Sequence, residues 1–337
     1  MHILIVDDNE IALEVLRAAL EQSGYLVECA SNGKEALEAL RRGEARLVIS
    51  DWDMPEMDGV SLCRAIRQGE LSSYVYFILL TSHDQTGEKV AGLSAGADDF
   101  IAKPFDPEEL RARVRTGERV LSLETRDVAI FAMAKLAESR DPETGEHLER
   151  VRGYSRILAQ HLAGVDKFRD VVNAEYIRLI YQTSPLHDIG KVGIPDNVLL
   201  KPGRLSDREF EIMKTHAEIG AQTLDAALQK FPAIAFLKMA RDIAATHHER
   251  FDGTGYPNKL RGENIPLCGR IVALADVYDA LTSKRVYKNE FTHDVARSII
   301  AKESGTQFDP AIFDAFVKTE SQFMTIRQRH AETRVAA

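Results

Sequence analysis

Over the first 122 residues, short apolar runs alternate with amphipathic stretches. Ile3–Val6, Leu26–Cys29, Leu47–Ser50, Val75–Leu80 and Phe100–Ala102 read as buried strands, because each is too short and too continuously apolar for a surface helix. Between them the spacing turns helical. Asn9–Gln22 places Ile11, Val15, Leu16 and Leu20 on one face, and Asn32–Arg41, Val60–Arg67 and Glu88–Leu93 follow suit. Asp106-Pro107 then opens a further helix, with Asp as N-cap and Pro in the first turn. Repeated strand–helix units of this size predict a doubly wound parallel five-stranded sheet.

Beyond residue 127 strand signals nearly vanish. Helix-period apolar residues recur over 127–138, 148–162, 171–182, 206–228, 233–248, 269–282, 293–302 and 309–318, which predicts an all-α bundle. Asp141-Pro142 reads as a helix start. Three parts follow: 1–122, a helical connector at 108–141, and 127–325, with 326–337 as a tail. In the connector, Leu110, Val114, Gly117, Leu121, Val128 and Phe131 keep a broken 3-4 spacing. That pattern suits either a dimerising stalk or a helix packed on its own domain.

Composition narrows the function. The 337 residues carry a net charge of −9, so no broad basic face exists and nucleic-acid binding is not the main task. Cys29, Cys63 and Cys268 are far apart and form no CxxC, which reads as reduced thiols in a cytoplasmic protein. The strand-like run at residue 3 leaves no room for a signal peptide, and no apolar run has membrane-spanning length.

Polar residues gather at the predicted strand ends of the first part, where such sheets build their sites. Asp7 and Asp8 follow the first strand, Asp51 the third, Thr81 the fourth, and Lys103-Pro104 the fifth. Carboxylates brought together there need a cation, and Mg²⁺ suits a few carboxylates, water and a phosphoryl oxygen. Asp51 is placed to accept a phosphoryl group.

In the second part, His187-Asp188 is followed by Lys191, and His147, His216, His247, His248 and Asp276 recur on or beside helices. Asp276 falls in an apolar helical run, so its carboxylate should be buried and need a partner or a metal. Imidazole and carboxylate donors without thiolate suit Fe, Mn, Zn, Co or Ni inside a bundle.

IVDD (5–8), SDWDMPEMDG (50–59), LLTS (79–82) and KPF (103–105) resemble the receiver domain of two-component response regulators, of flavodoxin-like fold. The resemblance implies Asp51 as phosphoacceptor, and Asp7, Asp8, Asp51 and the Asp53 carbonyl around Mg²⁺. Thr81, Lys103 and Phe100 would be the switch residues, a histidine kinase the partner, and a cis Lys103–Pro104 bond is open to it.

SPLHDIGKVGIPDNVLLKPG, MKTHAEIGA, HHERFDGTGYP and RIVALADVYDALTSKRVYK resemble the HD-GYP domain, a subgroup of HD phosphohydrolases. The resemblance implies hydrolysis of cyclic di-GMP to linear pGpG, and onward to GMP in a second round. Two or three divalent transition metals, Fe or Mn, would be held by His147, His187, Asp188, His216, His247, His248 and Asp276, with Asp188 bridging and Glu143 serving a third metal. Lys191 would meet the scissile phosphate, Arg285 and Lys288 the dinucleotide, and Gly255, Tyr256 and Pro257 the pocket wall. Val286 replaces the proline usual in KRVYK. Diguanylate cyclases or other signalling proteins are candidate partners, and the connector a candidate dimer seam. Two competing readings are a non-catalytic cyclic di-GMP receptor that docks partner proteins, and an HD enzyme for another cyclic dinucleotide.

Overall fold

A computed structural model describes residues 1–69, 71, 74–82, 86–138, 146–283 and 290–333. The chain forms two compact units, Met1–Val128 and Ala129–Ala337.

The first unit follows β1 His2–Val6, α1 Glu10–Glu21, β2 Leu26–Ala30, α2 Gly33–Arg41, β3 Leu47–Asp51, α3 Gly59–Gln68, β4 Tyr76–Thr81, α4 Thr86–Ser94, β5 Asp99–Ala102 and the first part of α5 Pro107–Glu138. All strand pairs are parallel and the order is β2-β1-β3-β4-β5. Both faces of the sheet are covered. Leu4, Val6, Val48, Phe77 and Leu79 pack on one side, and Ile3, Ile5, Leu47, Ile49, Ile78 and Leu80 on the other. Each such side chain contributes about 1.5–3 kcal/mol by leaving water. The strand order reverses between β1 and β3, which brings Asp7 and Asp51 to one crevice.

One expectation for α1 fails. Leu16 and Leu20 are fully buried, but Ile11 and Val15 are 72% and 52% exposed. Their positions fall on the edge of the helical stripe, and the sheet accommodates only the 16/20 pair at full depth. Helix α5 buries Leu110, Val114 and Leu121 within this unit, while Val128 stays exposed.

The second unit is helical: the end of α5, α6 His147–Leu162, α7 Ala174–Thr183, α8 Asp196–Leu199, α9 Asp207–Lys230, α10 Ala235–Thr246, α11 Leu267–Thr282, α12 His293–Lys302 and α13 Pro310–Thr333. Ile130, Phe131 and Ala134 of α5 pack here, against Leu148, Leu186 and Ala240. The expected helix start at Asp141-Pro142 lies outside the described residues. The main core gathers α6, α7, α10, α11, α12 and α13. Helix α9 begins with a capping box, Ser206 and Glu209 serving each other's backbone N–H groups.

Helix α13 runs fifteen residues past the expected end at 318. Phe323 is the reason. It is fully buried, stacks on Tyr154 at 4.5 Å and meets Tyr278 and Phe316 edge-on. Ile326 also packs against the core. The stripe is legible only once α6 is known to need a cover.

Truncating Phe323 to Ala should cost the helical unit about 3–5 kcal/mol. The single tryptophan, Trp52, lies in the first unit. The denaturation midpoint followed by helical circular dichroism should therefore fall, while that followed by Trp52 fluorescence should not.

Candidate metal and phosphoryl-transfer sites

In the first unit, Asp7, Asp8 and Asp51 bring carboxylate oxygens within 4.8 Å of one another. Lys103 Nζ lies 2.9 Å from Asp7 Oδ2 and 2.6 Å from Asp51 Oδ1. The other Asp7 oxygen accepts the Asn9 N–H at 2.9 Å. Asp7 is buried, Asp8 exposed and Asp51 partly buried, a graded set open to solvent on one side. Burial pushes the Asp51 carboxyl up from its ordinary value, against the pull of Lys103. Burial pushes Lys103 down, but Asp51 and Asp7 outweigh it and its value is raised. The ammonium is thus firmly charged.

Thr81 is buried at the end of β4, and its carbonyl accepts the Lys103 N–H at 2.7 Å. Phe100 is half-buried against the core, Asp53 is exposed, and Lys103–Pro104 is cis. Gly59 opens α3 so close to the site strand that a Cβ would lie 2.2 Å from the Asp51 carbonyl oxygen.

The second unit builds its site on the 3₁₀ turns around His187-Asp188. Gly190 lets this segment touch α9 main chain to main chain. A Cβ there would lie 2.0 Å from the His216 carbonyl oxygen and 2.5 Å from the Gly220 nitrogen. Two donor groups result: Asp188, His216, His247 and His248; and His147, His187 and Asp276.

Asp188 stands between them. Its Oδ1 is 3.2 Å from His216 Nε2 and 3.6 Å from His247 Nε2. Its Oδ2 is 3.3 Å from His187 Nε2 and 2.8 Å from Lys191 Nζ. In the other group, Asp276 Oδ1 is 3.5 Å from His147 Nε2 and 3.9 Å from His187 Nε2.

Tautomers are fixed from behind. The Nδ1 of His187 faces the Ser184 carbonyl at 2.9 Å, that of His216 the Met213 carbonyl at 2.7 Å, and that of His247 the carbonyls of Ile243 and Ala244 at 3.1 Å. Each Nδ1 must donate there, so each Nε2 lone pair points inward, as metal-ligating imidazoles require. His187 Nε2 and Asp188 Oδ1 are buried without hydrogen-bond geometry to any neighbour. Such groups cost about 1–3 kcal/mol each unless something else satisfies them, and a divalent cation would.

Electrostatics agree at Asp188, His247 and His248, and run the other way at His187. Burial pushes Asp188 up, but Lys191 and His187 outweigh it and hold it well below the usual carboxylate range. Burial and neighbouring rings hold His248 well below its ordinary value. Burial also lowers His247, against the pull of Asp188. Burial pushes His187 down, but Asp188 reverses the balance upward. Anionic carboxylate and neutral imidazoles are the forms a metal needs.

Asp276 is less buried than expected, its side chain 19% exposed. It sits at the rim, where a ligand must keep open positions. The sequence reading missed its neighbour Asp279, one turn on and fully buried. Asp279 Oδ2 is 2.8 Å from His147 Nδ1, and Arg150 donates to both Asp279 oxygens at 2.6 and 2.9 Å. Burial pushes Asp279 up, but His147 and Arg150 outweigh it and keep it ionised. The rule applied to Asp276, that a buried acid needs a partner, would have found it. Arg150 sits three residues after His147, on the same helix face. Glu138 was also missed: it is buried in the last turn of α5, with Oε1 3.9 Å from His147 Nε2.

The loop after His248 is clamped by buried Glu249, which accepts the N–H groups of Asn258 at 2.7 Å and Leu260 at 3.0 Å. Gly255 and Tyr256–Pro257, joined by a cis bond, line a cavity of about 510 Å³. Glu143, Arg285 and Lys288 lie outside the described residues.

Comparison with known proteins identifies both domains. Residues 3–115 match the response regulator receiver domain, and residues 132–312 match the HD domain. The chain is an HD-domain response regulator. Relatives align along nearly all of it. A Vibrio cholerae protein named "Probable cyclic di-GMP phosphodiesterase" is 41% identical over 354 residues, covering 98% of this chain and 80% of its own. The cyclic di-GMP phosphodiesterase response regulator RpfG of Xanthomonas campestris is 36% identical, covering 97% and 89%. A cyclic di-GMP phosphodiesterase of Thermotoga maritima is 34% identical, covering 98% and 94%. The donor sets of the receiver and the HD domain both suit divalent cations. No described helix is long and apolar enough to cross a membrane.

Asp279→Asn would leave the volume unchanged but weaken the hold on His147. Losing such a partner costs about 10–100-fold in metal affinity, and calorimetric Mn²⁺ titration should show that loss for part of the bound metal.

Proposed function

We propose that this response regulator hydrolyses cyclic di-GMP to linear pGpG, and on to GMP, in its HD domain under control of receiver phosphorylation. The observation that carries the reading is Asp188, whose two oxygens face two separate histidine groups. Two divalent metals would be held here, one by Asp188 with His216, His247 and His248, the other by His147, His187 and Asp276 with Asp188. Fe or Mn, the metals the resemblance to the HD-GYP domain implies, is compatible with imidazole and carboxylate donors. Glu143 would serve a third metal. Metals so held supply Lewis acidity and a water acidified toward neutral pH.

The chain's own groups do the rest. Lys191, ion-paired to Asp188, is within reach of a phosphoryl oxygen at the same centre and stabilises charge there as phosphorus is attacked. The carbonyls behind His187, His216 and His247, and Asp279 behind His147, hold these rings through the reaction. Arg285 and Lys288 bind the dinucleotide, and Gly255, Tyr256 and Pro257 form the pocket wall.

In the receiver, Asp51 is the phosphoacceptor from a cognate histidine kinase. Asp7, Asp8, Asp51 and the Asp53 carbonyl hold Mg²⁺. Lys103 and Thr81 receive the phosphoryl oxygens, and Thr81 with Phe100 passes the change to α5. The receiver comprises 1–122, α5 lies in the 108–141 connector, and 127–325 is the phosphodiesterase. Exposed Val120, Leu123 and Val128 offer α5 as a seam between two copies. The protein acts in the cytoplasm, where cyclic di-GMP and the kinase's output domain are found.

Two experiments test this reading. Asp188→Ala should abolish cyclic di-GMP hydrolysis and deplete bound metal; activity that survives the change would refute the metal assignment. Asp51→Asn should end labelling by acetyl phosphate in Mg²⁺, and continued labelling would move the acceptor elsewhere.

A further inference from the structure

We infer that the cleft between α9 and the 254–259 loop is a subsite for a guanine base. The inference rests on the cyclic di-GMP reading above and says where one base of the substrate goes.

The cleft has a volume of about 510 Å³. Small-molecule sites run from roughly 300 to 1,000 Å³, so a nucleoside fits with water to spare. Two of its lining residues adjoin donors of the metal centre. Tyr256, in its wall, lies nearly flat on the imidazole of His248, at 4.7 Å and 26°. Thr215, also in the wall, immediately precedes His216. A dinucleotide with its phosphate at the metals therefore has a base within reach of the cleft.

Its lining suits a base better than a phosphate. Phe210 is 47% exposed, a large apolar ring left open on a helix whose opposite face is well packed. It meets Tyr256 edge-on at 6.3 Å. The two rings offer stacking surface, which nucleobases use irrespective of their edges. Charge around them balances, with Glu211 and Glu218 against Lys214 and Lys259. A phosphate site would need excess positive charge.

The polar groups complement guanine. Glu218 forms no ion pair among the described residues, and a carboxylate accepts from guanine N1–H and its 2-amino group together. Lys214 Nζ lies 5.5 Å from the Phe210 ring centre and 5.6 Å from that of Tyr256. It is paired with Glu211 at 2.6 Å and keeps further N–H donors for guanine O6 or N7. Adenine has no N1–H and would turn its 6-amino group toward the ammonium. The wall is also preformed. Glu249 clamps the loop, and Lys259 takes a left-handed conformation, φ +54°, within it.

The test uses the full-length, metal-loaded protein and two variants at exposed positions, Phe210→Ala and Glu218→Gln. Binding of GMP and AMP is measured by calorimetry. Hydrolysis is measured on cyclic di-GMP, cyclic di-AMP and bis(4-nitrophenyl) phosphate, a diester without bases. F210A should weaken GMP binding and raise KM for cyclic di-GMP about tenfold. Selectivity for cyclic di-GMP over the small diester should fall by the same factor. E218Q should erode the preference for GMP over AMP, and for cyclic di-GMP over cyclic di-AMP, to a similar degree. Unchanged GMP binding and KM in both variants would overturn the subsite, as would equal losses on all three hydrolytic substrates. If the wild type cleaves the small diester but not cyclic di-GMP, while GMP binding still depends on Phe210, the substrate reading fails and the subsite stands.

Discussion

A single carboxylate sets the terms for the HD domain. Asp188 is held ionised in a largely buried position by Lys191 and by the imidazoles around it. Burying a charge is costly unless it is paired and hydrogen-bonded. The domain meets that cost by bringing four helical elements to the same point: α9 with His216, the end of α10 with His247 and His248, α6 with His147, and α11 with Asp276. The layout of the bundle follows from what these helices must deliver. The receiver solves a smaller version of the problem, with Lys103 standing between Asp7 and Asp51.

Most of this was legible in the sequence, for different reasons in different places. The five strands were readable because a parallel sheet covered on both faces needs continuous apolar runs, and the runs at 3–6, 47–50 and 75–80 are nearly pure. The residues of the candidate donor clusters were readable because acids and histidines stand out where an apolar pattern is interrupted. What escaped was whatever depended on a partner far along the chain. Ile11 and Val15 satisfied the helical stripe of α1 yet face solvent, since periodicity gives a direction and not a depth. The long α13 was cut short because Phe323 is an isolated aromatic until Tyr154 is placed beside it. Asp279 hid behind Asp276 because both lie in one apolar run, and only the fold separates the acid at the rim from the one behind the imidazole.

Local stability and function pull apart in the same few residues. Lone pairs directed inward and a left-handed Lys259 each carry a cost in stability. The aromatic stack of Tyr154, Tyr278, Phe316 and Phe323 lies within the main hydrophobic core. Conflicts between local preference and overall fold are expected at sites of function, and the surrounding core compensates for them.

Gly190 has a bearing on how this protein can change over evolutionary time. Where helices meet through interlocking side chains, their separation drifts as those side chains are exchanged for larger or smaller ones. Here the meeting is between main-chain atoms, with no side chain in the gap. The spacing of Asp188 and His216 is therefore insulated from turnover in the surrounding core. Change at this contact is confined instead to the two glycines that face each other across it, Gly190 and Gly220, where an added side chain would press on the opposite main chain.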